Sequence, residues 1–366
     1  MRPELVLSAA ALRENWNIVR EKAGDAAVWC MLKGDAYGMG LTAAARILAA
    51  AGADRFAVTE AEEVTALREA GIAGRILLVR NTVLPEEYAE AFRGNAEVSI
   101  GSFAAMAAAA ETARETELAA RIHIEFDLGM GRGGFSPEGA EALPGQLAEY
   151  PELQVAGVFG HPSRAFEKEI HTRRAAERLS AAAECLRKAG VDVGEVHFAD
   201  SVALFRFPDT RFDAVRVGSA LTGGLLAGSR AGLRRVARAE CAVAALHTLH
   251  PGDRAGYGAS FRAKREMTVA VLPMGYADGA FVSRAKDLRR KKDALHGVLA
   301  LVRDALRKKE LYVTLGEKSC RVIGYVGMKH LLFDVTGISC APGDPVKVPV
   351  DLLLGGQMLP RRWEEE

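Results

Sequence analysis

Short apolar runs, many of them β-branched, punctuate the first two-thirds of the chain. They are Val28–Leu32, Arg55–Thr59, Ile76–Val79, Ala96–Ile100, Ile122–Phe126, Val155–Phe159, Val196–Phe198 and Val215–Val217. Each is too short for a helix and suits a strand buried on both faces. Between them lie Ala-, Glu- and Arg-rich stretches such as Leu41–Ala51, Ala61–Ala70 and Ala104–Glu115. Their helix propensity is high, and their apolar residues recur at three- and four-residue spacing. Strands alternating with helices in this way predict a parallel (β/α)8 TIM barrel over residues 1–230. A doubly wound sheet shares the alternation, but no Gly-x-Gly-x-x-Gly follows the first strand.

Past Arg230 the rhythm changes. Cys241–Leu246, Met267–Leu272, Leu311–Thr314, Ser319–Val326 and Leu331–Val335 follow one another with Gly and Pro between them. This predicts a C-terminal, mostly-β domain over residues 231–366. A basic segment, 284–309, interrupts it with Leu295, Leu299, Val302 and Leu306 at helical spacing. It reads as an inserted amphipathic helix with a solvated basic face.

Composition narrows the function classes. With 49% hydrophobic residues the 366-residue chain can fill two cores, and 26% charged residues exclude a disordered polymer. The 48 Lys plus Arg nearly cancel the 47 Asp plus Glu, so no global field favours nucleic acid or an anionic membrane. No apolar run is long enough to span a bilayer, and Met1-Arg2-Pro3-Glu4 lacks a secretory signal. The five cysteines are widely spaced without a Cys-x-x-Cys, which suits reduced thiols in a cytoplasm and no structural zinc.

Candidate chemistry begins at Lys33, at the end of the first barrel strand, where barrel enzymes place catalytic groups. Apolar walls would lower its pKa and supply the neutral amine that Schiff-base chemistry needs. The glycines after it, in Gly34-Asp35-Ala36-Tyr37-Gly38-Met39-Gly40, would let backbone approach a ligand. A strand-end lysine is also an ordinary solvated rim residue, and both readings stand on these residues alone.

The motif from Lys33 to Gly40 resembles the pyridoxal phosphate (PLP) lysine motif of the alanine racemases, Lys-Ala-Asn-Ala-Tyr-Gly-His-Gly. The resemblance continues in order through His123 to Arg132, Gly157 to His161, Ala199-Asp200-Ser201 and Phe207 to Gly218. It extends to Gly256-Tyr257-Gly258, Leu272 to Gly279 and Gly327-Met328. It implies a fold-type III PLP racemase, converting L- and D-alanine or a related small amino acid such as serine. Lys33 and Tyr257 would then be the two bases, one on each face of the cofactor, with Tyr257 reaching in from a second subunit of a homodimer. Tyr37, Ser201, Gly218 and Ser219 would hold the PLP phosphate, and Arg216 the pyridine nitrogen, with His161 orienting Arg216. Arg132 and the Met328 N–H would bind the substrate carboxylate, and Tyr276 would line the access channel. No metal is implied.

Some positions depart from the family pattern. Asp35 and Met39 replace its asparagine and histidine, and Lys329 follows Met328 where an aspartate is usual. Lys329 would make the channel mouth more positive and favour substrates with a polar or anionic distal group. The tyrosine that the family places near the phosphate at its C-terminus has no clear match, Gln357 being the nearest. Glu125 stands where many members have a lysine that becomes carbamylated. A genetically supplied carboxylate there would pair with Arg132 and make the enzyme independent of CO2. Other readings remain at this stage: a barrel PLP decarboxylase or aldolase, a non-catalytic PLP-binding or regulatory protein, and an aldolase using Lys33 without PLP.

Overall fold

The structure is a computed structural model, and it describes residues 2–225, 231–282 and 310–366. The basic segment 284–309 lies outside the described residues. Two compact units are present, one formed by Ala9–Val236 and the other by the N-terminal strand together with Ala237–Glu365.

The first unit is a closed parallel barrel of eight strands: Ala27–Met31, Arg55–Val58, Arg75–Leu78, Glu97–Ile100, Ala120–Phe126, Leu153–Gly160, Glu195–His197 and Ala214–Val217. Closure comes from the last strand pairing with the first, Val28 opposite Val215. The helices between strands form for local reasons. Leu41–Ala50 buries Leu41, Ala44, Ala45 and Leu48, a single stripe at helical spacing. Phe103–Thr116 starts where Ser102 accepts the Ala105 N–H at 3.1 Å, satisfying one of the orphan donors of the first turn.

Inside the barrel the lower layers are polar, unlike the branched aliphatic filling usual for this fold. Arg55, Arg75, Glu97 and Glu195 each open their strands. Arg75 grips Glu97 with two bonds of 2.7 Å and reaches Glu195 at 3.2 Å, while Glu195 also accepts from Arg55 and from Trp29 Nε1. Deeper along the strands lie His123 and His197, both fully buried. A Cβ at Gly157 would come within 2.3 Å of His123 Nδ1, so that glycine is what admits the ring. His123, Glu195 and His197 are the one cluster of metal-type donors among the described residues, and arginines already engage or flank it.

The second unit holds a nine-stranded sheet among the described residues. Its order is Ala245–Leu249, Met267–Leu272, Leu331–Asp334, Lys318–Ile323, Tyr312–Leu315, Pro345–Val348, Ala237–Ala242, Glu4–Ser8 and Arg361–Glu364. Two features differ from the sequence pattern. Residues 1–8 were expected with the barrel, but Glu4–Ser8 pairs with Ala237–Ala242 and Arg361–Glu364 and belongs to this sheet. The run Cys241–Leu246 is two strands, because Val243 N–H donates to Asp344 and Ala244 N–H to Val271, handing the chain from one partner strand to another.

Candidate active site

The C-terminal rim of the barrel gathers the sequence-predicted residues of the first unit. Lys33–Tyr37 is a single left-handed turn, with φ of +61, +56 and +53° at Gly34, Asp35 and Ala36. Asp35, Ala36 and Tyr37 are not glycine, so this backbone is strained in a way that clusters at functional sites. Ala36 N–H to Leu32 O at 2.7 Å and Leu41 N–H to Asp35 Oδ1 at 2.6 Å hold it. Lys33 reaches solvent, yet burial of its surroundings, and then the Arg132 charge, lower its pKa.

Tyr37 lies across Gly218. A Cβ at that position would sit 2.1 Å from the Tyr37 hydroxyl, so close approach requires glycine here. Ser201 Oγ accepts the Gly218 and Ala220 N–H groups at 3.1 and 3.2 Å. Ser201, Gly218, Ser219 and Tyr37 thus share one corner after the seventh and eighth strands, a common place for phosphate in this fold.

Arg216 is buried, with Nη1 2.7 Å from His197 Nδ1 and 3.1 Å from His197 O, and Nη2 2.7 Å from Gly160 O. Its Cζ stands 4.9 Å over the Phe159 ring. Burial lowers its pKa to about 10, against the opposing pull of Glu125 and Asp200. The expectation that His161 orients Arg216 is therefore corrected: His197 and the Gly160 carbonyl do so. His161 follows Gly160 at the strand end, and its ring makes no hydrogen bond to Arg216. Burial, and then the charges of Arg216, Arg132 and Lys33, lower its pKa to about 3.

The expected Glu125–Arg132 pair is also corrected. Glu125 is buried but bonds to the Asn81 amide, with no hydrogen bond to Arg132. Asn81 crosses the end of the neighbouring strand at Gly101, where a Cβ would clash with its amide at 2.7 Å. Arg132 is exposed on a loop that Asp127 closes by accepting from Gly129, Met130 and Gly131. It acts on Glu125 only through space: burial raises the Glu125 pKa, and the Arg132 and Arg216 charges oppose that rise.

The second unit brings Tyr276 and Met328 together. Tyr276 N–H donates to Gly327 O at 3.0 Å and Ala277 N–H to Met328 O at 3.1 Å. A Cβ on Gly275 would lie 2.0 Å from Gly327 O, so the two loops pack backbone to backbone. Tyr257 projects from a turn between left-handed Gly256 and Gly258, is 61% exposed, and stands 5.4 Å from the His330 ring. Lys329 does not offer a free charge, because it is paired with the buried Asp278. Gln357 spends its amide on Leu352 O at 2.8 Å.

The description "Alanine racemase, N-terminal domain" matches residues 7–225, and "Alanine racemase, C-terminal domain" matches 236–358. The chain belongs to the alanine racemase family. Among similar proteins, the alanine racemase of Acidithiobacillus ferrooxidans is 34% identical over 278 residues, covering 75% of each chain. That of Sorangium cellulosum is 33% identical over 290 residues, covering 76% of each. The solved alanine racemase from Streptomyces coelicolor superposes with a TM-score of 0.82 at 26% identity, over 100% of this chain and 98% of that one. The one from Streptomyces lavendulae gives 0.81 at 27%, over 100% and 97%. Within the alanine racemase frame, sequence reasoning missed Asn81, His123, His197 and Glu97. Their only local signal was a polar residue inside an otherwise apolar strand or just beyond one.

Proposed function

We propose that this member of the family is a PLP-dependent alanine racemase acting in the cytoplasm as a homodimer. Its two subunits share each active site. The observation that carries the reading is the rim constellation: a pKa-lowered Lys33, the Tyr37–Ser201–Gly218 corner and a buried arginine. The corner fits a phosphate, since the missing Gly218 side chain lets the Tyr37 hydroxyl close in on this backbone and Ser201 keeps its hydroxyl proton to donate. Three of the five Arg216 N–H groups are engaged within the protein, which leaves donors for a pyridine nitrogen.

Bound there, PLP would withdraw electrons from the amino-acid Cα and so acidify its proton. Arg216 cannot readily release a proton to the ring, which keeps that withdrawal moderate and suits racemisation better than decarboxylation or transamination. Lys33 Nζ, whose pKa is lowered by burial and then by the Arg132 charge, takes or returns the Cα proton on one face. The partner subunit's copy of Tyr257 does so through Oη on the other. Arg132 and the Met328 N–H bind the substrate carboxylate, and Tyr276 lines the channel. The support for a shared site is the exposure of Tyr257, Tyr276 and Met328, at 61, 50 and 55%. The test is Cα–H exchange in D2O with chiral analysis of free alanine and serine. Racemisation with solvent deuterium incorporated is expected, and release of CO2 or no exchange at all would refute the reading.

A further inference from the structure

Below the rim, a run of buried hydrogen bonds serves none of these steps. Arg216 Nη1 lies 2.7 Å from His197 Nδ1, His197 Nε2 lies 2.8 Å from His123 Nδ1, and His123 Nε2 lies 2.6 Å from Glu97 Oε2. A guanidinium only donates. His197 Nδ1 must therefore be bare, which places the His197 proton on Nε2, donating to His123. His123 Nδ1 must be bare in turn, and its own proton on Nε2 donates to Glu97. Every contact then has one donor and one acceptor, all in one direction.

The simplest reading of the far end contradicts this. A histidine beside a carboxylate favours its charged form. A doubly protonated His123 would donate from Nδ1 and force His197 to carry its proton on Nδ1. Two donors would then face each other across 2.7 Å at Arg216. The surroundings favour the neutral pair. Glu97 already receives two 2.7 Å bonds from Arg75, and Arg216, Arg75 and Arg55 all bear on His197. Trp29 and Phe159 close the other sides, with ring centroids 5.8 Å from His123 and 4.9 Å from His197.

We propose that Glu97 and His123 are positioning residues for Arg216: through His197 they hold its guanidinium by a one-way chain in which both imidazoles are neutral and protonated on Nε2. That Arg216 faces a cofactor rests on the racemase reading; the proton pattern does not.

Solid-state 15N NMR of the histidine-labelled holoenzyme, titrated from pH 8 to 5, tests it. In the wild type both rings should show a bare Nδ1 and a protonated Nε2 throughout. Arg216→Met removes the donor that forbids a second proton, so an imidazolium signal should appear at His123 within that range. Adding Glu97→Gln should cancel that gain. An imidazolium at His123 in the wild type, or no change in Arg216→Met, would overturn the proposal. Should Arg216→Met not fold, neutron diffraction from the wild type decides by showing which nitrogens carry protons. Protein that binds no PLP yet keeps the proton pattern would refute the racemase reading and leave the chain standing.

Discussion

The bottom and the rim of the barrel are both rich in charge and differ in how it is matched. At the bottom, Glu97 and Glu195 are enclosed by Arg55, Arg75, Trp29 and His123, with side chains 1 and 12% exposed. At the rim, Lys33, Arg132 and His161 make no hydrogen bond to a carboxylate among the described residues, and burial, then their neighbours' positive charges, lowers the pKa of Lys33 and His161. Matched buried charges hold structure, and losing one partner strands the other. The exposed Arg132 charge at the open rim awaits an anionic ligand. Variants at the bottom should therefore cost stability, and variants at the rim should cost turnover.

The largest effect is expected at Lys33. Lys33→Ala should lower racemisation by about 10⁴-fold or more while the melting temperature stays put. Borohydride reduction and mass spectrometry of the wild type should find the cofactor on Lys33; an adduct on another lysine would break the contrast.

Tyr257→Phe should come next. Exchange from one alanine enantiomer should be lost and exchange from the other partly kept, with PLP still bound. Equal residues of exchange from both enantiomers would remove Tyr257 as a base. Mixing Lys33→Ala with Tyr257→Phe chains should restore activity if subunits share sites.

At the bottom, Glu195→Ala should destabilise the barrel by about 3 kcal/mol, because Arg55 and Arg75 lose a buried partner. Denaturant unfolding measures it, and a change below about 0.5 kcal/mol would mean the network is dispensable. Acid should act on the same layers. Hydrogen bonds from His123 and Arg75 overcome the opposing effect of burial and hold Glu97 at about 2, against an ordinary 4.5. The unfolded chain therefore binds more protons in this window, and stability is lost as pH falls from about 4.5 toward 2. His161 and His197, held neutral below their ordinary 6.5, begin the loss earlier, as the unfolded chain takes up protons. Glu97→Gln should flatten the lower part of the curve.

Smaller effects are expected at Glu125 and Lys329. Glu125→Gln should weaken substrate binding less than tenfold and leave PLP occupancy intact, since Asn81 rather than Arg132 is its partner. Lys329→Gln should move the serine-to-alanine selectivity ratio by less than about threefold, because Asp278 already offsets the lysine charge. A larger change would show that this charge reaches the substrate.

The sequence by itself determined all eight barrel strands, since each is a short apolar run between helix-forming stretches. Lys33, Tyr37, Ser201, Arg216 and Tyr257 could be nominated from the sequence because each sits in a compact local motif. Residues that act across the barrel were not. Glu4–Ser8 joins a sheet more than 200 residues away in the chain, and nothing in a local pattern encodes that partner. His197 displaces His161 as the partner of Arg216 because adjacent parallel strands bring residues 197 and 214 into register. Asn81 meets Glu125 because Gly101 leaves room for its side chain, while Arg132 lies exposed on the Asp127 loop. Periodicity and motifs report what a residue meets within a few positions of itself. Which polar group a buried side chain finally meets is decided only when strands distant in sequence close around it.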